Sequence, residues 1–85
     1  MSERTAIVAS PAGLHARPAA LFAEAAGKSG LKITVAKGDT VVNAASILMV
    51  LSLGVAQGET VTLASDDDGA DAVLDELVSL LSSAE

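Results

Sequence analysis

The strongest structural signal in this chain lies in residues 31–43, which read Leu31-Lys32-Ile33-Thr34-Val35-Ala36-Lys37-Gly38-Asp39-Thr40-Val41-Val42-Asn43. Apolar and polar side chains alternate over residues 31–36, which is typical of a strand with one buried face. Residues 37–39 have the composition of a turn, and residues 40–43 can pair back as a second strand. The stretch therefore predicts a β-hairpin whose apolar face must be covered by the rest of the chain.

Two further strands and a helix are predicted around this hairpin. A short β-rich run at residues 4–9 is bounded by Ser10 and Pro11, and residues 59–64 alternate again. An alanine-rich helix is expected from Ala16 to about Gly27, because Pro18 suits a first helical turn and glycines follow.

A last helix is expected from Ala70 onward. Asp66-Asp67-Asp68-Gly69 ends the preceding strand and places negative charge near the start of this helix, where the helix dipole favours it. Apolar residues then recur at helical spacing and predict a core-facing stripe: Val73, Leu74, Leu77, Leu80 and Leu81. The whole order of strand, helix, two strands, helix, strand, helix favours one antiparallel sheet with its helices on one face.

Residues 46–54 predict a short helix with Ser46 as its N-cap and Gly54 at its C-terminal end. The alternative is a fully buried strand, since residues 47–51 are all apolar. A helix that is apolar all round cannot bury every side in a two-layer domain. Some of Ile47, Leu48 and Leu51 are therefore expected to face solvent, and such a patch usually marks a surface that binds a partner.

Composition limits the function. The 85 residues predict one domain spanning 1–85, and the absence of cysteine excludes a disulfide framework. A net charge of −6 with five basic residues and one aromatic residue argues against nucleic acid, and a single histidine argues against a His-rich metal centre. No signal-peptide pattern and no apolar run near the roughly 20 residues of a spanning helix are present, which predicts a cytoplasmic protein without membrane insertion.

The only histidine, His15, stands just before the predicted first helix and is followed by Ala16, Arg17 and Pro18. Neutral imidazole is a competent nucleophile near neutral pH. A helix N-terminus offers free N–H groups and a positive dipole end, and both favour a bound anion. This local chemistry allows a phosphoryl group to be held covalently on His15, with Arg17 beside it.

Two blocks of the sequence resemble a known family. Residues 13–19 (GLHARPA) look like the active-site signature of HPr, the histidine-containing phosphocarrier of the phosphoenolpyruvate-dependent sugar phosphotransferase system, and residues 46–54 resemble that family's regulatory-serine helix. The resemblance runs from about Thr5 to Leu81. It implies an α+β open-faced β-sandwich: four antiparallel strands in the order 1-4-2-3, covered on one face by three helices. It also implies a monomer without a cofactor or metal.

The resemblance also implies roles for individual residues. His15 and Arg17 would be the catalytic pair: His15 accepts a phosphoryl group from phosphorylated enzyme I, in the family at Nδ1, and passes it to IIA components. The N–H groups of Ala16 and Arg17 would bind phosphate oxygens. Ser46 would be the target of an ATP-dependent kinase, and a transcriptional regulator could be a further partner. The implied partner-binding residues are Ala20, Ile47, Leu48 and Leu51.

The chain departs from the family pattern at its expected basic rim. Glu24, Gly27 and Met49 stand where many members carry lysine, and Ala45 replaces a residue that is often polar. These differences predict that a partner is bound more by apolar contact than by charge. Ser46 is also open to a purely structural interpretation, since serine is a preferred N-cap.

Other function classes compete with the carrier. A self-sufficient phosphatase or phosphotransferase would need a general acid, and no carboxylate is adjacent to His15 in sequence. A regulatory binding module could use Ile47 and Leu48 alone, but it would not need His15. A nitrogen-regulatory paralogue of the same carrier also remains open. The sequence favours the sugar phosphocarrier and does not identify the sugar.

Overall fold

A computed structural model describes residues 2–9, 13 and 16–82. For Ala16 it describes the backbone only. Four strands form one sheet with the order β1-β4-β2-β3, and every neighbouring pair is antiparallel. The predicted open-faced α+β architecture is therefore confirmed. The elements are β1 (Ser2–Ile7), α1 (Ala16–Lys28), β2 (Thr34–Lys37), β3 (Thr40–Asn43), α2 (Ile47–Ser52), β4 (Thr60–Ser65) and α3 (Ala70–Ser82).

The hairpin of β2 and β3 has the predicted inward face, since Val35 pairs with Val42 and both side chains are buried. Its bounds differ from the prediction. The strand β2 begins at Thr34 rather than at residue 31, and Lys37 is its last residue rather than part of the turn. The backbone N–H of Lys32 donates to a carboxylate oxygen of Asp67 at 2.7 Å, so residue 32 is engaged by a side chain instead of by a neighbouring strand.

The edge strand β1 begins and ends two residues earlier than predicted, because its pairing with β4 ends at Ile7. Beyond that point the N–H of Val8 donates to the carbonyl of Glu59, and the N–H of Ala9 donates to the carbonyl of Leu81 in α3. The chain thus leaves the sheet at residue 8 and is held against the last helix. Strand β4 starts and ends one residue later than predicted.

The core lies between the sheet and the helices. In α1, Ala19, Phe22 and Ala26 follow helical spacing and are almost fully buried, and the backbone of this helix lies close to α2 and α3. Strand β4 contributes Val61 and Leu63 from its inward face, which agrees with the alternation predicted for residues 59–64. The buried residues of α3 are Ala70, Leu74, Leu77 and Leu81.

One member of the expected stripe on α3 is not in the core. Leu80 is 37% exposed and lines an open groove between α1 and α3 together with Leu21. Leu77 and Leu81 already occupy the inward direction, which leaves Leu80 at the margin of the helix interface. Within the described ranges, no helix has the length and apolar character needed to cross a membrane.

The segment 46–54 contains the helix α2 and no strand, so its interpretation as a buried strand is wrong. Ser46 has extended backbone angles, and its Oγ accepts a hydrogen bond from the N–H of Met49 at 3.4 Å, which is the geometry of an N-cap. Gly54 follows the helix with a φ of +63°. Glycine is favoured at a left-handed position directly after a helix, and this explains why the helix ends where the sequence predicts.

Candidate functional site

The site begins at the N-terminus of α1. This helix starts at Ala16, so His15 is the residue that directly precedes it in the chain; His15 itself lies outside the described residues. The first turn contains Arg17 and Pro18 and no acidic residue. The unpaired N–H groups of a first turn and the helix dipole therefore attract an anion, and no carboxylate of that turn competes with it.

Arg17 is exposed at the start of α1. Three of the five cationic residues have carboxylate partners: Arg4 with Asp71 and Asp75, Lys28 with Glu24, and Lys37 with Glu59. Among the described residues, no carboxylate forms an ion pair with Arg17.

A loop that precedes β4 supports the chain close to His15. Gly13 is buried and has a φ of +73°, and a Cβ on it would lie 2.4 Å from the carbonyl oxygen of Val55 and 2.9 Å from the Cα of Ala56. Both the backbone angle and the lack of space require glycine here. Gly13 thus rests directly on the loop of residues 54–59, two positions before His15.

The same loop also holds the segment that follows β1. The N–H of Gly58 donates to the carbonyl of Val8 at 2.8 Å, and Nε2 of Gln57 donates to the carbonyl of Ala9 at 3.3 Å. The loop therefore contacts the chain at residues 8–9 and again at residue 13.

An ion pair fastens this loop to the hairpin. An Oε1 of Glu59 accepts hydrogen bonds from the N–H of Ala56 at 2.7 Å and from Nζ of Lys37 at 3.1 Å. The same Nζ donates to the carbonyl of Gly54 at 3.0 Å. The hydrogen bond from Ala56, followed by that from Lys37, lowers the pKa of Glu59 below its ordinary value.

The predicted apolar patch is present on α2. Leu48 is 76% exposed, Ile47 is 37% exposed, and Leu51 is half-buried against the core. Val50 is fully buried and anchors the helix. Some of the patch was expected to face solvent, and this prediction is confirmed.

Helix α1 contacts α2, which brings the patch to the helix that follows His15. Ala20 is exposed on α1 one turn after Arg17, as a binding residue would have to be. Ser46 caps α2 and is only partly exposed. The predicted site residues after position 16 thus lie on α1, on α2 or, for Ser46, at the start of α2, and these two helices are in contact.

Three features of this region were missed by sequence reasoning. Met49 is 45% exposed and extends the apolar surface of α2, which its place in an unbroken apolar run could have suggested. The pairing of Lys37 with Glu59 joins residues far apart in the chain, and no local pattern reveals it. The close contact of Gly13 likewise depends on the fold, although a glycine directly before a predicted active site is a signal of tight packing.

Comparison with known proteins agrees with this geometry. A family model described as "PTS HPr component phosphorylation site" matches residues 2–83. The phosphocarrier protein HPr of Streptomyces coelicolor is 50% identical over 82 residues, which are 95% of this chain and 88% of that protein. HPr of Haloferax volcanii is 44% identical over 85 residues, covering 98% of this chain and 96% of that protein.

Solved structures give the same result. The crystal structure of an HPr from Thermoanaerobacter tengcongensis superposes with a TM-score of 0.89 at 43% identity, covering 95% of this chain and 91% of that one. Agreement in sequence and in fold extends over nearly the whole chain. This chain belongs to the HPr family, the phosphocarrier proteins of the phosphotransferase system.

Proposed function

We propose that this carrier holds its phosphoryl group on His15, receives it from phosphorylated enzyme I and delivers it to IIA components that serve sugar uptake. The observation that carries the proposal is the start of α1. The sole histidine of the chain directly precedes a helix whose first turn contains Arg17 and no carboxylate. As a phosphotransferase-system component, the chain relays the group and is not a catalyst in itself.

In the proposed transfer, a lone pair of the neutral His15 imidazole attacks phosphorus. The bond from phosphorus to the donor breaks as the bond to imidazole forms, and its electron pair leaves with the donor. The N–H groups of Ala16 and Arg17 and the Arg17 guanidinium stabilise the negative charge on the phosphoryl oxygens. The family resemblance implies that Nδ1 is the reacting nitrogen.

The proposed docking surface combines Ala20 of α1 with the apolar patch of Ile47, Leu48 and Leu51. Its support is the exposure of Leu48 and Ile47 on a helix that has no charged residue. Phosphate on Ser46 would add about two negative charges at the edge of this patch and would weaken docking. We place the exchange in the cytoplasm, where phosphoenolpyruvate is formed.

The test is phosphorylation in a purified system. The chain is incubated with phosphoenolpyruvate and a bacterial enzyme I, and its intact mass is measured before and after treatment with acid and with base. We expect one added phosphate that acid removes and base does not, together with no gain when enzyme I is omitted. A product without added phosphate, or with a base-labile one, would contradict the proposal.

A further inference from the structure

We propose that Lys37 and Glu59 are positioning residues for phosphoryl transfer, because together they hold the loop on which the chain before His15 rests. The inference depends on the proposed function for its kinetic consequence. Its structural part, the coupling of residues 37 and 59 to residue 13, can be tested without any transfer.

The loop of residues 54–59 is held in shape by hydrogen bonds within it and by its contacts with Lys37. The Glu59 carboxylate closes the loop on itself through the N–H of Ala56, and the N–H of Glu59 donates back to the carbonyl of Ala56 at 3.1 Å. The ammonium of Lys37 binds this carboxylate and the carbonyl of Gly54 at the same time. Both ends of residues 54–59 are thus fixed to one cation at the end of β2.

This loop contacts Gly13 directly. Gly13 lies against Val55 and Ala56, with so little space that even a Cβ would have to displace backbone atoms. A shift of residues 55 and 56 is therefore transmitted to Gly13 by direct contact. The loop is also bonded to the carbonyls of Val8 and Ala9, so it contacts the chain on both sides of residues 10–12.

Lys37 and Glu59 are both partly exposed, and an ion pair in such a setting adds little to stability. Transfer between two proteins is far more sensitive, since a misplacement of about 1 Å at a reacting group can cost roughly 100-fold in rate. The contact is accordingly expected to matter for geometry more than for the free energy of unfolding.

The experiment compares Lys37→Gln and Glu59→Ala with the conservative Lys37→Arg. The matched control is Arg4→Gln, which removes another partly exposed cation and its ion pairs with Asp71 and Asp75 at α3. Thermal unfolding by circular dichroism establishes that each variant folds. Two measurements follow: the amide resonances of Gly13 and Arg17, and single-turnover transfer from phosphorylated enzyme I over a range of donor concentrations.

We expect Lys37→Gln and Glu59→Ala to shift the Gly13 amide resonance and to lower the transfer rate at saturating donor roughly 3- to 30-fold, with the apparent affinity for enzyme I unchanged. Lys37→Arg should restore most of the rate, because it keeps a donor to Glu59 and to Gly54. Arg4→Gln should leave both measurements as in the wild type.

The inference is overturned if the Gly13 resonance and the saturating rate stay at wild-type values in both variants. It is also overturned if Arg4→Gln slows transfer equally, since the effect would then follow stability alone. Absence of phosphate on the wild-type chain would contradict the proposed function instead, and the Gly13 resonance would still decide whether the ion pair positions that segment.

Discussion

Helices α2 and α3 use apolar residues in opposite ways. In α3 the leucines at positions 74, 77 and 81 follow the helical period and are buried, while Asp71, Asp75 and Glu76 face outward. In α2 five consecutive residues are apolar, only Val50 is buried, and no residue is charged. Packing in the core therefore explains the apolar residues of α3 but not most of those in α2.

This difference separates a structural side of the molecule from the side to which we assign docking and transfer. Six of the eleven acidic residues fall between residues 66 and 76, in α3 and the turn before it. Arg17 and the apolar patch are on the other two helices. Substitutions on the two sides should accordingly affect different quantities: stability on the α3 side, and transfer or docking on the α1–α2 side.

The largest expected effect is that of His15→Ala, which should abolish phosphorylation because no other histidine exists in the chain. We expect the midpoint of thermal unfolding to change little, because a position directly before the first residue of a helix usually carries little core packing. Intact mass after incubation with enzyme I and phosphoenolpyruvate measures the phosphorylation of this variant. A variant that still gains one acid-labile phosphate would place the site elsewhere.

The comparison itself is tested by Leu77→Ala against Leu48→Ala. Leu77 is fully buried, so its truncation should lower the free energy of unfolding by about 2–5 kcal/mol. Leu48 is 76% exposed, and its truncation should cost less than about 0.5 kcal/mol while weakening binding to enzyme I. Urea unfolding followed by circular dichroism provides the free energy of unfolding of both variants. Equal losses of stability would mean that α2 belongs to the structural side after all.

Arg17→Ala should slow single-turnover transfer roughly 10- to 1000-fold, because the guanidinium no longer stabilises charge on the phosphoryl oxygens. Arg17→Lys should recover part of the rate, since it restores the charge without the planar fork. Stability should be unaffected, as Arg17 is exposed. A wild-type rate in Arg17→Ala would remove this residue from the mechanism.

Ser46→Asp should reduce transfer from enzyme I at least tenfold, because a charge at the N-cap of α2 has to be desolvated when the patch is covered. Ser46→Asn is the matched control: it has nearly the same shape, it can still cap the helix, and it is uncharged. We expect Ser46→Asn to transfer at close to the wild-type rate. If both variants slow transfer equally, the larger side chain rather than the charge is responsible.

The smallest effect concerns salt. Because α2 is uncharged and Glu24 lies on the exposed face of α1, few charges should be screened at the interface. The affinity for enzyme I should therefore change less than about tenfold between low and high ionic strength. Isothermal titrations at two salt concentrations measure it. A hundredfold fall would show that charge governs docking.

Much of the fold could be predicted because, in this chain, the spacing of apolar residues agrees with the residues that begin and end helices and turns. The alternation of residues 31–36 placed Val35 inward, and the Ser46 cap with the Gly54 stop identified α2. Strand ends were predicted less well. The end of β1 depends on where residues 8 and 9 find other partners, Glu59 and Leu81, and no local sequence pattern contains that information.

The candidate site divides in the same way. The position of His15 before α1, and the exposure of Leu48, follow from local sequence and from the limited area of one sheet face. The strand order came from the family resemblance and not from periodicity. The contact of Lys37 with Glu59 and Gly54 exists only because the hairpin end and the loop before β4 meet in the folded chain.

The lowered pKa of Glu59 couples proton binding to folding. The unfolded chain takes up a proton at this carboxyl near its ordinary pKa of 4.5, whereas the folded chain resists protonation. Its contribution to stability is therefore present above pH 4.5 and is lost as the pH falls through the lowered value. Protonation would also release Lys37 from its carboxylate partner. We therefore expect acid to loosen the loop beneath Gly13, so the chain next to the proposed phosphoryl site would respond to proton concentration although Glu59 takes no part in the proposed transfer.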